Sequence, residues 1–236
     1  MMKTITIATR QSQMALYQAN SIKQQLSQLF PQIEFIIKGM STPGDRNLTQ
    51  PLHQLGGKDV FVKELQQALL NGEADCAVHC LKDMSVYPVS GLTMAAILDR
   101  DDPRDALVNT KNDTIATLPP NAIVGTGSPR RSAMLKKIRP DLQIKPIRGN
   151  VNTRLDKLVA GEYDALILAA AGLKRLQLTQ YIQEYLDLDN FVPAVGQGVL
   201  CIECRSDNPA LYEILHTLNH PHTKLCAIAE QSIIKS

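Results

Sequence analysis

TITIATRQSQMALYQANSIKQQLSQL, residues 4–29, contains one complete strand, turn and helix. Residues 4–8 form a short β-like run, residues 14–29 follow a helical pattern, and Ser12 is placed to cap that helix. A further strand is predicted at residues 76–79. The same order of strand and helix recurs at 34–38 before 60–71, 122–124 before 130–138, 144–146 before 151–160, and 165–168 before 172–176. This alternation predicts an α/β fold with mostly parallel sheets.

The chain is long enough for two domains, since it has 236 residues, of which 44% are hydrophobic. Residues 99–104 and 191–198 combine charge, Pro and Gly as linkers do, so we expect the chain to cross between two lobes there. The predicted first lobe comprises residues 1–98 and 199–217, and the second comprises residues 99–198. Residues 41–58 are polar with little periodicity and are predicted to form a lid.

Composition and the absence of several motifs exclude many functions. No apolar run approaches the ~20 residues of a membrane span, and residues 1–10 do not resemble an export signal, so a cytoplasmic protein is expected. The net charge of +2, few aromatic residues and no Trp argue against nucleic-acid binding. The sequence contains no phosphate-binding loop, dinucleotide fingerprint, nucleophile elbow or zinc-protease helix.

The five cysteines predict a reduced protein, because an odd number cannot pair completely and cytosolic thiols stay free. Cys201 and Cys204 form a CxxC, and His220, His222 and Cys226 follow it, which raises a metal or redox site as an alternative. We favour small buried side chains, since positions three apart on a strand face opposite sides. No metal is therefore expected.

Arginines recur at turns that directly follow predicted strands. In an open parallel sheet this edge binds ligands, and helix N-termini there present free N–H groups. Ser128 suits an N-cap and Pro129 the first helical position of one such turn. The six arginines are Arg10, Arg130, Arg131, Arg148, Arg154 and Arg175. Since guanidinium groups bind carboxylates in pairs of hydrogen bonds, a small molecule with several acid groups is the predicted ligand. The alternative is that some of these arginines form salt bridges on a solvated surface.

Lys82 and Asp83 follow the apolar strand at residues 76–79 and are predicted to reach the same kind of edge. A carboxylate close to many cations stays ionised and is suited to stabilising a developing cation, so Asp83 is the predicted catalytic residue. The alternative roles for Asp83 are a helix cap and an ion-pair partner for Lys82. His79 is predicted to be a packed core histidine.

Several motifs resemble those of the porphobilinogen deaminase family, from the first strand to about Gln231. The matching motifs are IATRQS at 7–12, GGK at 56–58 with FVKEL at 61–65, KD at 82–83, RDDPRDA at 100–106, RGNV at 148–151 with TRL at 153–155, AGLKRL at 171–176 and PAVGQG at 193–198.

This resemblance implies two lobes like those of periplasmic binding proteins around a cleft, and a small third α/β domain beginning at residues 218–236. It implies a monomeric cytoplasmic transferase that joins four porphobilinogen molecules with loss of ammonia to give hydroxymethylbilane. By matching position, Asp83 would stabilise the cation formed on deamination. The residues implied to hold primer and substrate are Arg10, Ser12, Lys82, Thr126, Ser128, Arg130, Arg131, Arg148, Arg154, Arg175 and Gln197.

The resemblance also implies a dipyrromethane cofactor, bound as a primer to a cysteine of the third domain. None of the five cysteines matches that position, so we expect this chain to lack the anchor and to be inactive alone. Cys80, Pro129 and Gln54 also differ from residues common in the family. A non-catalytic two-lobed binding protein for a polycarboxylate is the alternative function, and an inactive remnant is a second one.

Overall fold

The structure, a computed structural model, describes residues 4–42 and 61–235. The chain forms two compact units, Met1–Arg100 with Val199–Ser236, and Asp101–Gly198. The predicted lid falls outside the described residues from residue 43 onward, and so does Gln54. The domain limits predicted from the sequence, including a third domain from residue 218, stay predictions.

Helices and strands alternate along most of the chain. Their order is β1 (Thr4–Arg10), α1 (Gln13–Leu29), β2 (Glu34–Met40), α2 (Lys63–Leu70), β3 (Cys76–Cys80), β4 (Leu92–Ile97), β5 (Asp105–Val108), β6 (Ile123–Gly125), α3 (Pro129–Ile138), β7 (Gln143–Lys145), α4 (Val151–Val159), β8 (Ala165–Ala169), α5 (Ala170–Arg175), β9 (Ile182–Tyr185), β10 (Leu200–Arg205), α6 (Pro209–His216) and α7 (Pro221–Lys235). Short 3₁₀ turns lie at Leu81–Asp83 and Thr179–Tyr181. The predicted α/β class is confirmed.

Each unit contains one five-stranded sheet, and the two sheets have related strand orders. The orders are β2-β1-β3-β10-β4 and β7-β6-β8-β5-β9. In the first sheet β1 pairs in parallel with β2 and β3, whereas β10 is antiparallel to β3 and β4. In the second, β6 is parallel to β7 and β8, whereas β5 is antiparallel to β8 and β9.

The prediction of mostly parallel sheets is therefore wrong, because both sheets are mixed. The strand-then-helix pattern detects the parallel connections, but it carries no signal for a strand that enters from the other direction. β10 and β5 are such strands, and each lies fourth in its sheet.

The central strands β3, β8 and β10 are buried on both faces, as expected for sheets covered by helices, whereas the edge strands β2, β7 and β9 are partly exposed. In β8, Ile167 belongs to the core under α3, whereas Leu166 and Leu168 belong to the core under α4 and α5. This alternation follows from the two-residue period of a strand. None of the helices in residues 4–42 and 61–235 is long and apolar enough to cross a bilayer.

Candidate functional site

In the first unit, Arg10 and Asp83 come to the same edge of the sheet. Arg10 is the last residue of β1, and Asp83 lies in the 3₁₀ turn that follows β3. Because β1 and β3 are parallel, their carboxyl ends meet at one edge. A small pocket of about 30 Å³ opens there, and its walls include Arg10, Phe61, His79, Cys80 and Asp83.

Arg10 packs its guanidinium over the ring of Phe61, with the central carbon 4.1 Å from the ring centroid. This cation–π contact fixes the side chain at the pocket wall, where a guanidinium can meet an acidic ligand. Ser12 caps α1 as predicted, since its Oγ accepts a hydrogen bond from the Ala15 amide at 3.3 Å.

Asp83 makes no hydrogen bond or ion pair with any residue that the structure describes. The 3₁₀ turn is closed without its side chain, because the Met84 amide donates to the Leu81 carbonyl oxygen. No ion pair joins Asp83 to Lys82, which is half-buried beside it. Neither alternative considered for Asp83, a cap or a partner for Lys82, is observed, so its carboxylate is available to a ligand.

His79 is buried, as predicted, but it also lines the pocket and has a charged neighbour. Its Nε2 lies 3.2 Å from Oε2 of Glu203, at a distance suited to an ion pair though not aligned as a hydrogen bond. Gln66 donates from Nε2 to both carboxylate oxygens of Glu203, at 3.1 and 3.2 Å. The sequence analysis missed Glu203, which reads there as one polar residue in an apolar strand.

In the second unit, the turns after β6 and β7 carry several of the predicted residues. The Ser128 amide donates to Thr126 Oγ1 at 3.2 Å, and Ser128 Oγ accepts from the Arg131 amide at 3.4 Å, which caps α3. A Cβ at Gly127 would lie 3.0 Å from the carbonyl oxygen of Ile147, so the two turns approach closely. This approach brings the turn of Thr126 next to the turn of Arg148.

Arg148 and Arg154 flank the N-terminus of α4. Both are half-buried and both have contacts within the protein. Arg154 donates from Nε to the carbonyl oxygen of Gly149 at 2.9 Å, and Asn150 caps the helix by accepting from the Thr153 amide. The predicted pair therefore lies on a well-ordered turn at the carboxyl end of β7.

Arg130, Arg131 and Gln197 converge on Asp105, a residue that the sequence analysis did not select. Arg130 donates from Nη2 to Asp105 Oδ2 at 2.7 Å. Arg131 donates from Nε and Nη2 to Oδ1 at 2.9 and 2.6 Å. Gln197 donates from Nε2 to Oδ1 at 2.9 Å and to the Pro103 carbonyl oxygen at 2.7 Å. Asp105 is wholly buried.

Burial alone would raise the pKa of Asp105, because it removes the charged carboxylate from water. The charges of Arg131 and Arg130, with the hydrogen bonds from Arg131 and Gln197, outweigh burial and hold the pKa below its ordinary value. Asp105 is therefore ionised at neutral pH and offsets much of the repulsion between the two arginines.

Arg175, the last residue of α5, contacts both the first and the last residue of the second unit. Its Nη2 donates to the carbonyl oxygen of Gly198 at 2.8 Å, and its Nε lies 3.4 Å from Asp101 Oδ2. Of the predicted arginines, Arg130, Arg131, Arg154 and Arg175 thus already donate to acceptors in this unit, and Arg148 also has contacts within the protein.

The remaining predictions concern cysteines and metals. Cys201 and Cys204 are buried in cores on opposite faces of β10, as predicted, and all five thiols are free. Burial raises the pKa of the Cys204 thiol to about 11. Within residues 4–42 and 61–235, no three His, Cys, Asp or Glu side chains come together as metal ligands would.

Solved structures share the two-unit architecture at low sequence identity. The VFT2 domain of BvgS from Bordetella pertussis aligns with a TM-score of 0.55 and 16% identity over 98% of this chain and 93% of that chain. The probable amino-acid ABC transporter extracellular-binding protein ytmK from Bacillus subtilis aligns with a TM-score of 0.52 and 14% identity, over 100% and 97%. These likenesses confirm a fold similar to two-lobed periplasmic binding proteins.

The sequence comparisons are more specific. Residues 5–213 match the family described as porphobilinogen deaminase, dipyromethane cofactor binding domain. A porphobilinogen deaminase of Coxiella burnetii is 50% identical over 98% of this chain and 75% of its own length. One of Methylobacillus flagellatus is 48% identical over 99% and 76%. With Asp83 and the strand-end arginines in place, the matches show that this chain belongs to the porphobilinogen deaminase family.

Proposed function

We propose that this protein is a transferase that condenses four porphobilinogen molecules head to tail, with loss of ammonia, to give hydroxymethylbilane. The observation that carries the proposal is Asp83, a carboxylate in a small pocket with Arg10 and with no partner in the described chain. Loss of ammonia leaves a pyrrole-derived cation, and an ionised carboxylate next to the reacting atoms stabilises such a charge.

The cationic groups supply the second part of this chemistry. Porphobilinogen carries an acetate and a propionate, and arginine forks bind carboxylates with charge-assisted hydrogen bonds. We assign these groups to the predicted set, with Arg10 and Lys82 in the first unit and Arg130, Arg148 and Arg154 among those in the second. Asp83 remains the only acidic member of the set.

The same residues suit a dipyrromethane cofactor, whose pyrroles carry the same acidic side chains as the substrate. When bound, this group supplies a covalently held acceptor for the incoming pyrrole. Arg130, Arg148 and Arg154 of the second unit are of the type that would hold its carboxylates, and the Asp83 carboxylate of the first unit is of the type that would accept hydrogen bonds from its ring N–H groups.

We further propose that none of the five cysteines of this chain carries that cofactor. Cys76, Cys201 and Cys204 are buried, and burial raises the pKa of each thiol, so the reactive thiolate is suppressed. Intact mass of the purified 236-residue chain should equal the polypeptide mass alone, and this chain alone should not form hydroxymethylbilane. A dipyrromethane-sized mass increase, mapped to any of the five, would contradict this proposal.

Asp83→Asn tests the proposed function in assays to which dipyrromethane is added as the acceptor. The amide keeps the shape but not the charge, so turnover should fall by ~10²-fold or more. Asp207→Asn is the matched control, because Asp207 is exposed and pairs with Arg205 at 3.2 Å. Near-normal hydroxymethylbilane formation by Asp83→Asn, with unchanged melting temperature, would refute the role of Asp83.

The test also separates the proposed enzyme from a binding protein. A non-catalytic binding protein for a polycarboxylate would bind porphobilinogen with similar affinity in the Asp83→Asn and unaltered forms, and neither would release ammonia. We place the protein in the cytoplasm as a monomer, in keeping with the sequence-based expectation and its free thiols.

A further inference from the structure

Asp105 is a fully buried carboxylate whose hydrogen-bond partners are all among the predicted ligand-binding residues. Arg130, Arg131 and Gln197 donate four hydrogen bonds of 2.6–2.9 Å to its two oxygens. The nearby Asp102 is paired differently, with Arg104 and Lys174. The convergence on Asp105 is therefore a specific feature of this position.

The mixed sheet explains how Asp105 reaches the ligand edge. Asp105 is the first residue of β5 and pairs with Ala169, the last residue of β8. Since β5 and β8 are antiparallel, the start of one strand lies beside the end of the other. The Asp105 carboxylate, on the first residue of an apolar strand, is thus placed at the edge where α3 begins, with Arg130 and Arg131 in the first turn of that helix.

The two arginines differ in what remains available to a ligand. Each of the three side-chain nitrogens of Arg131 donates to a protein oxygen, including the Ile167 carbonyl oxygen, and its side chain is 9% exposed. The side chain of Arg130 is 23% exposed. Its Nη1 and Nη2 donate to the Val192 carbonyl oxygen and to Asp105, and its buried Nε has no hydrogen-bond partner. A buried N–H without an acceptor is costly, and an anionic ligand is the kind of group that would satisfy it.

We propose that Asp105 is a positioning residue that fixes Arg130 as the substrate-contacting member of the arginine pair and makes Arg131 its structural support. This inference deepens the proposed function and depends on it. Asp105 holds one amino group of Arg130 and thereby orients its unsatisfied N–H. Arg131 and Gln197 hold Asp105 in turn.

The competing explanation is that Asp105 only neutralises two buried charges. The double variant Asp105→Asn/Arg131→Gln distinguishes positioning of Arg130 from simple charge neutralisation, because it removes one negative and one positive charge together. Asp105→Asn alone should lower the melting temperature and raise KM for porphobilinogen. In the double variant the melting temperature should recover, while KM should stay raised by about ten-fold, as for a lost hydrogen bond to a charged group.

Asp141→Asn is the matched control, since Asp141 pairs with Arg139 at 2.8 Å in the same unit, and it should leave KM unchanged. If the double variant recovers both the melting temperature and KM, Asp105 is only a neutralising charge and the proposal is wrong.

A second pair of variants keeps the test open if the Asp105 variants do not fold. Arg130→Lys should raise KM with the melting temperature unchanged, and Arg131→Lys should lower the melting temperature first. Equal rises in KM for Arg130→Lys and Arg131→Lys, with both melting temperatures unchanged, would overturn the assignment of Arg130 as the arginine that contacts substrate. If the unaltered protein, supplied with dipyrromethane as the acceptor, binds porphobilinogen but forms no hydroxymethylbilane, the proposed function fails, and the same comparison is then made on Kd for porphobilinogen.

Discussion

Charged residues at the strand ends of this protein are balanced by partners within the chain. Asp105 pairs with Arg130 and Arg131, and the ring of Phe61 lies under Arg10. Clustered arginines were expected to require an anionic ligand, but part of that charge is already offset internally. The number of arginines therefore overstates how many bind substrate. Asp83, which lies in the pocket and has no partner among the described residues, gives more information about the chemistry.

Glu203 gives a prediction about a buried carboxyl group in the first unit. It lies close to His79 and accepts two hydrogen bonds from Gln66, and both its side chain and that of His79 are almost wholly buried. Glu203→Gln should lower the free energy of unfolding by about 1–3 kcal/mol, because one of the two oxygens that accept from Gln66 becomes an N–H donor facing another donor. Glu213→Gln, at an exposed position on α6, is the control for urea denaturation. Equal midpoints for the two variants would show that the hydrogen bonds of Glu203 with Gln66 are unimportant for stability.

The cysteines give a second prediction, based on exposure of individual thiols. Cys80 and Cys226 are half-buried, whereas the other three are buried with raised thiol pKa values. A brief treatment of the native protein with a maleimide should add two labels, and treatment in denaturant should add five, measured by intact mass. Rapid labelling of Cys201 in the native protein would contradict the burial described for β10.

Most helices and parallel strands could be predicted because each has a local signal. α1 and α3 begin with Ser12 and Ser128 as N-caps, and β1 alternates before its helix. β4, β5 and β9 were not predicted. β5 has only four residues, all buried, so it shows no alternation from which a strand could be recognised.

The candidate site could be predicted only to the extent that it follows parallel strands. Arg10, Asp83 and Arg130 each come after such a strand, so sequence order indicated their edge. Asp105 is the first residue of an antiparallel strand and Glu203 lies within another. The pairing direction of these strands is set by tertiary contacts that no local pattern encodes. The structure was required to find both.

Gly198, the last residue of the second unit, lies close to Asp101, the first residue of that unit. Its φ is +85°, and a Cβ there would lie 2.5 Å from the carbonyl oxygen of Asp101. Gly198→Ala should therefore destabilise the protein by more than the ~1 kcal/mol expected for backbone strain alone. Gly161→Ala is the control, because φ is +77° but the space is open. Similar melting temperatures for the two variants would show that the contact with Asp101 is not a constraint.

Across the whole molecule, carboxyl groups with lowered pKa values are concentrated in the second unit. Asp102, Asp105 and Asp141 lie there, the last with a pKa of about 2, mainly because it accepts a hydrogen bond from Arg139. In the described part of the first unit the only such group is Glu73, which is exposed. The two units should therefore respond differently to acid, even though both are α/β.

The direction of that response follows from proton binding. A group whose pKa is lower in the folded state adds stability above its unfolded pKa, which is about 3.9 for Asp, and that stability is lost as pH falls toward the folded pKa. Below about pH 4 the unfolded second unit binds protons that the folded unit does not, so this unit should lose stability first. Hydrogen exchange followed by mass spectrometry between pH 5 and pH 2.5, corrected for intrinsic rates, should show protection lost in β5, β6 and β8 before β1 and β3. Asp105→Asn should make the stability of the second unit less dependent on pH, because the wholly buried carboxylate at residue 105 is then replaced by an amide that does not titrate. Earlier loss of protection in β1 and β3 would show that the acid-sensitive groups lie in the first unit instead.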